Sequence, residues 1–502
     1  MSDETSVVLI GVGQAVQRNI EPAQARGPVE LMVEAAQAAA IDSGLGSRLL
    51  EKLSTVAVVD VMAWQPANAA RLLSEAIGAK PAREIVSTIG GNTPQAYVNH
   101  LAREIAAGRC GLALMGGANV VGSLMKARSA GLRLDWPKGG EGSPERFGDE
   151  KQGSSDYENA HALYLPAHVY PLFENALRAR RALDPKAHNL RMGKMFEAFA
   201  RVASGNPYAW FPVARSAQEI ATASDTNRTV AFPYTKYMNA VMATDQAAVV
   251  LLTSVAEARR LGVAEDRWVY FWGGGQASED PWFVSERPRL DRCPAMRFAS
   301  LQAMARAGTS VDELDFFDFY SCFPVAVEIG CEGLGIAEDD PRGLTVTGGL
   351  PYFGGPGNNY TTHAIAGMAE RLRMRPGSKG LVTANGWYLT KHAAGVYATA
   401  PKPSRPQSIE EPPQAQARHD EGPVSLVREP SGAALIESYT VLYARDGSPE
   451  TGVVVGRLES GERFLAHTPQ DLALLEEMVA CEAVGRRGTV RAGSPVNVFT
   501  PE

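Results

Sequence analysis

The feature that most constrains the fold is an alternation of short apolar runs with helical patterns over the first 119 residues. The apolar runs occupy residues 7–12, 55–61, 84–89 and 112–115, and alanine-rich helical segments lie between them. Strands that alternate with helices at this spacing favour βαβ units and a largely parallel sheet that is buried on both faces. The chain is therefore predicted to be an α/β protein.

One detail of this pattern occurs twice. Residues 314–328 read LDFFDFYSCFPVAVE, in which an aromatic, strand-like run ends near Tyr320 and Pro324 suits the first position of a helix. Residues 85–94 have the same layout, a strand followed by a short polar turn and Pro94. This echo predicts two similarly folded halves.

Composition divides the rest of the chain. Residues 120–242 break the alternation, residues 401–430 contain seven prolines among polar residues, and the last seventy residues carry about five strand patterns and one helix. That last pattern is typical of a small barrel of oligonucleotide/oligosaccharide-binding type. The predicted divisions are a first half (1–119 and 243–290), an insertion (120–242), a second half (291–400), a linker (401–432) and a barrel (433–502).

Charge and cysteine usage exclude several classes of function. The net charge is −7 and no dense lysine or arginine run occurs, which argues against nucleic acid as the partner. The N-terminus lacks the layout of a secretory signal, and the longest apolar runs are too short to span a bilayer. Five scattered cysteines without a CxxC pair favour a reduced, cytoplasmic setting. No metal and no permanently bound cofactor are predicted.

Three stretches carry candidate site residues. Cys322 lies just ahead of a predicted helix start, where unpaired N–H groups and the helix dipole favour a thiolate, although a buried structural thiol is the alternative. Residues 348–357 hold five glycines, which indicates a tightly wound loop, and His363 closes it as a general base, a donor to a carbonyl, or a helix cap. The predicted helix at 172–182 carries Arg178 and Arg181, which either hold phosphates or form a solvated face.

These residues give the chain a family resemblance. Residues 5–400 resemble a thiolase, closest to the sterol-carrier-protein type. Residues 320–323 (Tyr-Ser-Cys-Phe) stand where that type has His-Asp-Cys-Phe. His363 stands where thiolases have a Gly-His-Pro segment, and Asn385 stands where they have a His-Asn pair. The resemblance implies two βαβαβαββ halves in αβαβα layers and a loop domain at 120–242. It also implies acyl-CoA as substrate, a homodimer or, where the fused barrel covers the dimer surface, a monomer, and roles for Cys322, His363 and Asn385 around the thioester. The C-terminal residues resemble small barrels that accompany such thiolases.

The chain departs from this family at the nucleophile. The acyl-accepting cysteine belongs in the turn before Pro94, and residues 89–93 read IGGNT. Thr93 is a helix cap by position and has no evident base. Without a thiolate there is no acyl-enzyme intermediate, so conventional thiolysis is not expected.

Three hypotheses follow. The first is chemistry on the C–C bond of a 3-oxo- or 3-hydroxyacyl-CoA without an acyl-cysteine; relatives that lack the first cysteine act as retro-aldolases on steroid side chains, and this chain resembles them in Tyr320 and Tyr360. The second is an acetyltransferase that uses Cys322 as nucleophile, and the third is a non-catalytic acyl-CoA-binding scaffold. The residues expected to line the substrate site are Asn92, Gly354, Gly355, Arg178 and Arg181.

Overall fold

The structure, a computed structural model, describes residues 4–403 and 410–502. The first half contains β1 (Val7–Val16), α1 (Pro28–Asp42), β2 (Thr55–Val58), α2 (Ala69–Ala76), β3 (Arg83–Ser87), α3 (Thr93–Ala106) and β4 (Leu112–Val120). The inserted region contains α4 (Val121–Ser129), β5 (Glu145–Phe147), α5 (Asp156–Ala160), α6 (Pro166–Arg180), α7 (Pro185–Ser204), α8 (Ala217–Ala221), β6 (Thr229–Ala231) and β7 (Tyr234–Thr235). The predicted alternation of strands and helices is confirmed.

The rest of the chain completes a second half and a C-terminal domain. The chain continues with β8 (Asp245–Ser254), α9 (Val255–Leu261), β9 (Val269–Ser278), α10 (Pro294–Ala307), β10 (Phe316–Asp318), α11 (Pro324–Leu334), α12 (Tyr360–Met374), β11 (Lys379–Gly386) and β12 (Lys391–Ala398). The C-terminal domain contains β13 (Ser431–Tyr443), β14 (Pro449–Leu458), β15 (Arg463–His467), α13 (Leu472–Ala480), β16 (Arg487–Arg491) and β17 (Val498–Pro501).

The two halves share one strand order. The main sheet runs β10-β11-β12-β9-β1-β8-β4-β2-β3-β5, so each half places its last strand, β8 or β12, between its first strand and the strand before it. These last strands are antiparallel to both neighbours, whereas β2 is parallel to β3 and β4. The sheet is thus mixed rather than largely parallel, because a strand buried on both faces has the same apolar pattern in either direction.

The helices form three layers around the strands. α3 and α12 contact strands of both halves and are buried over most of their surface, so they lie in the middle, while α1 packs on β1 and α10 on β9. This is the expected αβαβα arrangement. The predicted limits of the halves differ at one strand: β9 pairs along most of its length with β12 and with β1 through two residue pairs, so it groups with the second half.

The C-terminal domain is a closed barrel, as predicted. Strands β13, β14, β15, β17 and β16 pair in a ring, and the hairpin β6–β7 of the inserted region extends this sheet by pairing with β13. Part of the predicted linker, residues 404–409, lies outside the described residues. In the part of the chain that the structure describes, every helix is too short or too polar to cross a bilayer.

Candidate functional site

The candidate site forms where the starts of three helices meet the end of β11. Asn92 precedes α3, Cys322 precedes α11, and the glycine-rich loop leads into α12. The Thr361 hydroxyl of α12 donates to the Gly91 carbonyl at 3.2 Å, and the Asn385 amide of β11 lies 3.8 Å from Cys322 Sγ. Segments far apart in sequence therefore converge on the turn in which the family nucleophile was expected.

The two glycines of this turn, Gly90 and Gly91, have no room for a side chain. A Cβ atom at Gly91 would overlap the Tyr320 hydroxyl and lie 2.6 Å from the Asn385 carbonyl oxygen. A Cβ atom at Gly90 would overlap the Asn92 side chain and lie 3.1 Å from Lys391 Nζ, and Gly90 has a φ of +157°. The absence of a nucleophile is thus part of the packing, because Tyr320 occupies the space into which a residue at position 91 would project.

Cys322 is a protonated thiol in this setting. Its side chain is 7% exposed, and burial raises the pKa of the thiol to about 12. The thiolate expected at a helix start is therefore not favoured, since desolvation outweighs the dipole and the neighbouring hydrogen-bond donors. The Asn385 amide also donates to the Tyr170 hydroxyl at 2.8 Å, which fixes its orientation beside the thiol.

The two tyrosines differ in what holds them. The Tyr360 hydroxyl lies 2.6 Å from Thr347 Oγ1 and donates to Asp318 Oδ1 at 3.1 Å, so it is part of a buried structural network. Tyr320 packs edge-on against the Tyr360 ring with centroids 5.4 Å apart, and its hydroxyl is directed at the Gly91 turn. Burial raises the pKa of both phenols, so both are proton donors at neutral pH.

His363 is neutral and fully buried. Its Nδ1 lies 2.8 Å from Gln14 Oε1, which can only accept, so Nδ1 carries the hydrogen and Nε2 presents a lone pair. Burial lowers the pKa of the imidazole to about 3. In this tautomer Nε2 accepts rather than donates a hydrogen bond, so the expected donor role toward a carbonyl does not fit, and a base of such low pKa is weak. His363 is also not a helix cap, since α12 begins at Tyr360.

Four buried polar atoms on these segments have no hydrogen-bond partner. They are Asn92 Oδ1, Ser321 Oγ, His363 Nε2 and Asn385 Oδ1. Buried polar groups in proteins are nearly always paired, and each exception calls for an explanation such as water or a ligand. Four exceptions on adjoining segments indicate a polar binding site.

The two arginines predicted to bind substrate have acidic partners within the chain. Arg178 is fully buried and pairs with Glu482 of the barrel domain, with Nη2 2.9 Å from Oε1. Arg181 reaches Glu328 at 3.1 Å and Glu338 at 3.0 Å. The Arg178 guanidinium is thus paired with the barrel domain, which corrects the expectation that it binds phosphate or forms a solvated face. Arg181 is also paired within the chain and is not on a solvated face, but it lines a cavity beside α7.

The glycine pair of the loop has a packing role. A Cβ atom at Gly354, where φ is +109°, would lie 2.5 Å from Gln246 Oε1, whereas Gly355 would bring its Cβ no closer than 3.3 Å to the Val241 carbonyl. Close approach is therefore required at Gly354 and not at Gly355. The atoms nearest to the Cβ positions of Gly354 and Gly355 belong to residues other than Cys322 and His363.

Three residues at the site carry no sequence signal. Gln14 orients His363, Tyr170 of α6 orients Asn385, and Lys391 Nζ donates to the Ile89 carbonyl at 2.8 Å. Burial lowers the pKa of Lys391, which places a partly desolvated ammonium beside the turn. Each of these partners lies more than 200 residues away in sequence, so no local pattern could have revealed them.

Comparisons with known proteins agree with this arrangement. The protein-family model described as "Thiolase-like protein type 1 additional C-terminal domain" matches residues 415–494. The chain is similar to a monomeric SCP2-thiolase like protein type 1 from Mycobacterium smegmatis, with 34% identity over 99% of each chain and a TM-score of 0.85. No curated protein sequence matches it.

Two more distant structures share the fold. The Ltp2-ChsH2(DUF35) aldolase is 18% identical over 78% of this chain and 98% of its own, with a TM-score of 0.57. The dimeric peroxisomal thiolase of Saccharomyces cerevisiae is 14% identical over 79% of this chain and 98% of its own, with a TM-score of 0.54. At these identities the likeness establishes the fold alone.

Proposed function

The chain belongs to the SCP2-thiolase-like protein type 1 family, and on that basis we propose that it binds the thioester of an acyl-CoA without forming an acyl-cysteine intermediate. The observation that carries this proposal is the set of four unpaired buried polar atoms around a turn that excludes a nucleophile. The thioester of a 3-hydroxy- or 3-oxoacyl-CoA, together with the oxygen at C3 of its acyl group, offers polar atoms that can hydrogen-bond to such a site. A thiolase-fold structure with bound coenzyme A, the human mitochondrial 3-ketoacyl-CoA thiolase, supplies the ligand class for the hypothesis.

A cavity beside the site provides space for the ligand. It encloses about 860 Å³ between α7 and the segment after α11, and its wall includes Met195, Phe199 and Leu344. Phe199 also lies against Gly349, whose Cβ position is 2.6 Å from Ser321 Oγ, so the cavity adjoins the Ser321–Cys322 segment. We place the acyl or pantetheine chain here, along the apolar part of the wall.

The reaction we propose is cleavage of the C–C bond of a 3-hydroxy- or 3-oxoacyl-CoA without a covalent enzyme intermediate. A protonated thiol at Cys322 and a protonated phenol at Tyr320 can donate to an oxygen that gains charge as the bond breaks. Retro-aldol cleavage of a 3-hydroxyacyl-CoA needs no acyl-enzyme, and an aldolase shares the fold. An acetyltransferase with Cys322 as nucleophile is disfavoured, because a thiol with a pKa near 12 is almost wholly protonated at neutral pH.

A second candidate, acyl-CoA binding without turnover, has its own support. The side chains of Tyr320, Cys322, Tyr360, His363 and Asn385 are each at most 9% exposed. Among these five, the one neutral base, His363, has a pKa of about 3, so proton abstraction near pH 7 lacks an evident acceptor.

Product analysis separates the candidates. Purified protein is incubated with 3-hydroxyacyl-CoA and with 3-oxoacyl-CoA, each with and without free CoA, and products are identified by mass spectrometry. We expect release of a ketone or aldehyde from the hydroxy substrate without free CoA, and loss of that release in Cys322→Ala but not in Cys110→Ala, a buried cysteine outside the site. Cleavage of the oxo substrate that requires free CoA would instead restore the acetyltransferase.

Binding is measured separately from turnover. Isothermal titration with acyl-CoA and with free CoA tests the proposal even if no product forms, and binding without product would establish the second candidate. Absence of acyl-CoA binding at millimolar ligand would overturn the proposal as a whole. Tyr320→Phe keeps the ring contact with Tyr360 while removing the hydroxyl that faces Gly91, so we expect it to lower turnover more than affinity.

A further inference from the structure

A second group of reactive side chains lies outside the candidate site. Glu279 follows β9, Cys293 caps the start of α10, His392 belongs to β12, and His419 lies in the segment that leads to the barrel. All four are at most 9% exposed. Three elements of the second half and the connection to the barrel therefore meet at this group, which we call the Cys293 cluster.

The atoms of the Cys293 cluster face one another. Cys293 Sγ lies 3.1 Å from Glu279 Oε1 and 3.1 Å from His392 Nε2, and His419 Nε2 lies 2.9 Å from Glu279 Oε2. Glu279 Oε1, Cys293 Sγ and a nitrogen of His392 all lie within 4.8 Å of one another. Around a tetrahedral zinc ion, with bonds of about 2.3 Å to sulfur and about 2.0 Å to nitrogen, such ligand atoms lie about 3.5 Å apart. A small outward movement of each side chain would therefore accommodate an ion.

The chemistry of the three donors that face one another selects the ion. One thiolate, one imidazole and one carboxylate are ligand types that zinc uses, whereas calcium and magnesium prefer oxygen alone. Glu279 Oε1 accepts the Ala295 N–H at 2.9 Å as well as the Cys293 S–H. When the Cys293 proton leaves, the lone pair that it occupied on Oε1 becomes available to a metal ion.

The Cys293 cluster can be reached from two sides. A cavity of about 450 Å³ is lined by Cys293 and His419, and one of about 200 Å³ is lined by His392. A buried site with a route for ion entry meets the requirements for metal loading after folding.

We propose that Glu279, Cys293 and His392 bind one divalent transition-metal ion, with zinc as the physiological ion. On binding, the Cys293 S–H bond breaks, the proton leaves to solvent, and the sulfur donates its electron pair to the metal. A tetrahedral ion held by these three residues would take its fourth ligand from water. His419 would orient the Glu279 carboxylate through its hydrogen bond to Oε2 and so link the connection to the barrel to the site.

Cobalt substitution tests this assignment with the full chain. The protein is purified without affinity metal, stripped with chelator and titrated with Co²⁺ while its absorption spectrum is recorded. We expect one ion per chain, d–d bands of tetrahedral intensity in the visible, and a thiolate-to-cobalt charge-transfer band in the near ultraviolet. Adding Zn²⁺ should abolish these bands by displacement.

Variants locate the bound ion. Cys293→Ser should lose the charge-transfer band, whereas Cys331→Ser, a buried cysteine outside the cluster, should keep it. His419→Ala removes the hydrogen-bond partner of Glu279 Oε2 from a segment that is neither helix nor strand, so the fold should persist and the Co²⁺ affinity should fall by about tenfold or more. Absence of tetrahedral bands, or a charge-transfer band that survives in Cys293→Ser, would overturn the proposal and leave a hydrogen-bonded structural cluster.

Discussion

At the scale of single residues, burial decides the chemistry of the candidate site. Sequence position alone favours a thiolate at Cys322, which precedes a helix start, and it leaves His363 open as a general base, a donor to a carbonyl or a helix cap. In the fold both side chains are enclosed, so the thiol keeps its proton and the imidazole stays neutral. The motif was therefore predictable from the sequence, and its protonation was not, since desolvation depends on packing between segments far apart in the chain.

Substitution of Gly91 directly tests the packing of Tyr320 against the turn that precedes α3. We expect Gly91→Ala to destabilise the fold by about 2 kcal/mol or more, because its Cβ would overlap the Tyr320 hydroxyl and approach the backbone oxygen of Asn385. Gly111→Ala is the matched control, since its nearest neighbour, Ser54 Oγ, is 3.8 Å away. Urea unfolding of both variants measures the difference. A Gly91 variant as stable as the control would contradict the assigned packing.

The buried carboxyl pair Glu174–Glu328 makes stability depend on pH. Burial raises the pKa of Glu174 to about 7 and that of Glu328 well above its usual value. The protonated carboxyls therefore contribute stability that is complete below the ordinary carboxyl pKa and is lost as pH rises through the folded values. Burial lowers the pKa of the adjoining His188. This histidine makes stability rise with pH up to about 6.5, the ordinary histidine pKa. Above that pH the carboxyl pair therefore dominates the pH dependence of stability.

We accordingly expect stability to fall from pH 6.5 to 8.5 in the wild-type protein and to fall less in Glu328→Gln, which mimics the protonated carboxyl. Glu332→Gln is the control: it lies one turn further along α11, also pairs with Arg181 and is half-exposed. Thermal unfolding at several pH values gives the comparison. Equal slopes in the wild type and Glu328→Gln would refute the assignment.

At the scale of elements, local patterns predicted helix starts better than the partners of each helix. The prolines at 94 and 324 begin α3 and α11 as expected. The arginines of α6 illustrate the limit: Arg178 looked like a phosphate ligand, yet its partner Glu482 lies 304 residues away in the barrel domain. An ion pair between domains leaves no periodic signal in either segment.

Arg178 should therefore matter for stability and not for ligand affinity. Replacing it with methionine removes the donor to Asn175 Oδ1, to the Leu183 carbonyl and to Glu482 Oε2, and we expect a loss of about 2–4 kcal/mol. Arg487→Met, which removes an exposed pair with Glu459, should change stability by less than about 0.5 kcal/mol. Acyl-CoA affinity that falls in Arg178→Met without a change in stability would restore the phosphate role.

At the scale of the whole molecule, the barrel and the inserted region form one continuous structure. The hairpin β6–β7 pairs with β13, Asn175 of α6 donates to the Tyr439 carbonyl at 2.8 Å, and Ser438 donates to the Leu172 carbonyl at 2.5 Å. The sequence predicted a barrel after a proline-rich linker, which suggested an appended module. Because the shared sheet and the buried hydrogen bonds join it to the inserted region, the barrel should unfold together with the rest of the chain.

The edge of the main sheet bears on the oligomeric state. Strand β3 would offer an open edge for pairing with a second chain, but β5 covers it, and Arg83 holds β5 by two hydrogen bonds of 2.9 Å to Glu145. A three-residue strand with charged side chains is a poor template for further pairing. We therefore predict that β5 keeps this edge of the sheet from pairing with a second chain.

Charge reversal at this edge tests the argument. Glu145→Lys places a like charge against Arg83 and should loosen β5, so the exposed β3 edge should produce dimers or larger assemblies as protein concentration rises. Glu150→Lys makes the same charge change in an exposed residue whose contact with Arg146 is 3.8 Å long, and it should remain monomeric. Light scattering coupled to size-exclusion chromatography gives the mass of each. A wild-type dimer, or a Glu145→Lys variant that stays monomeric, would show that β5 does not control association.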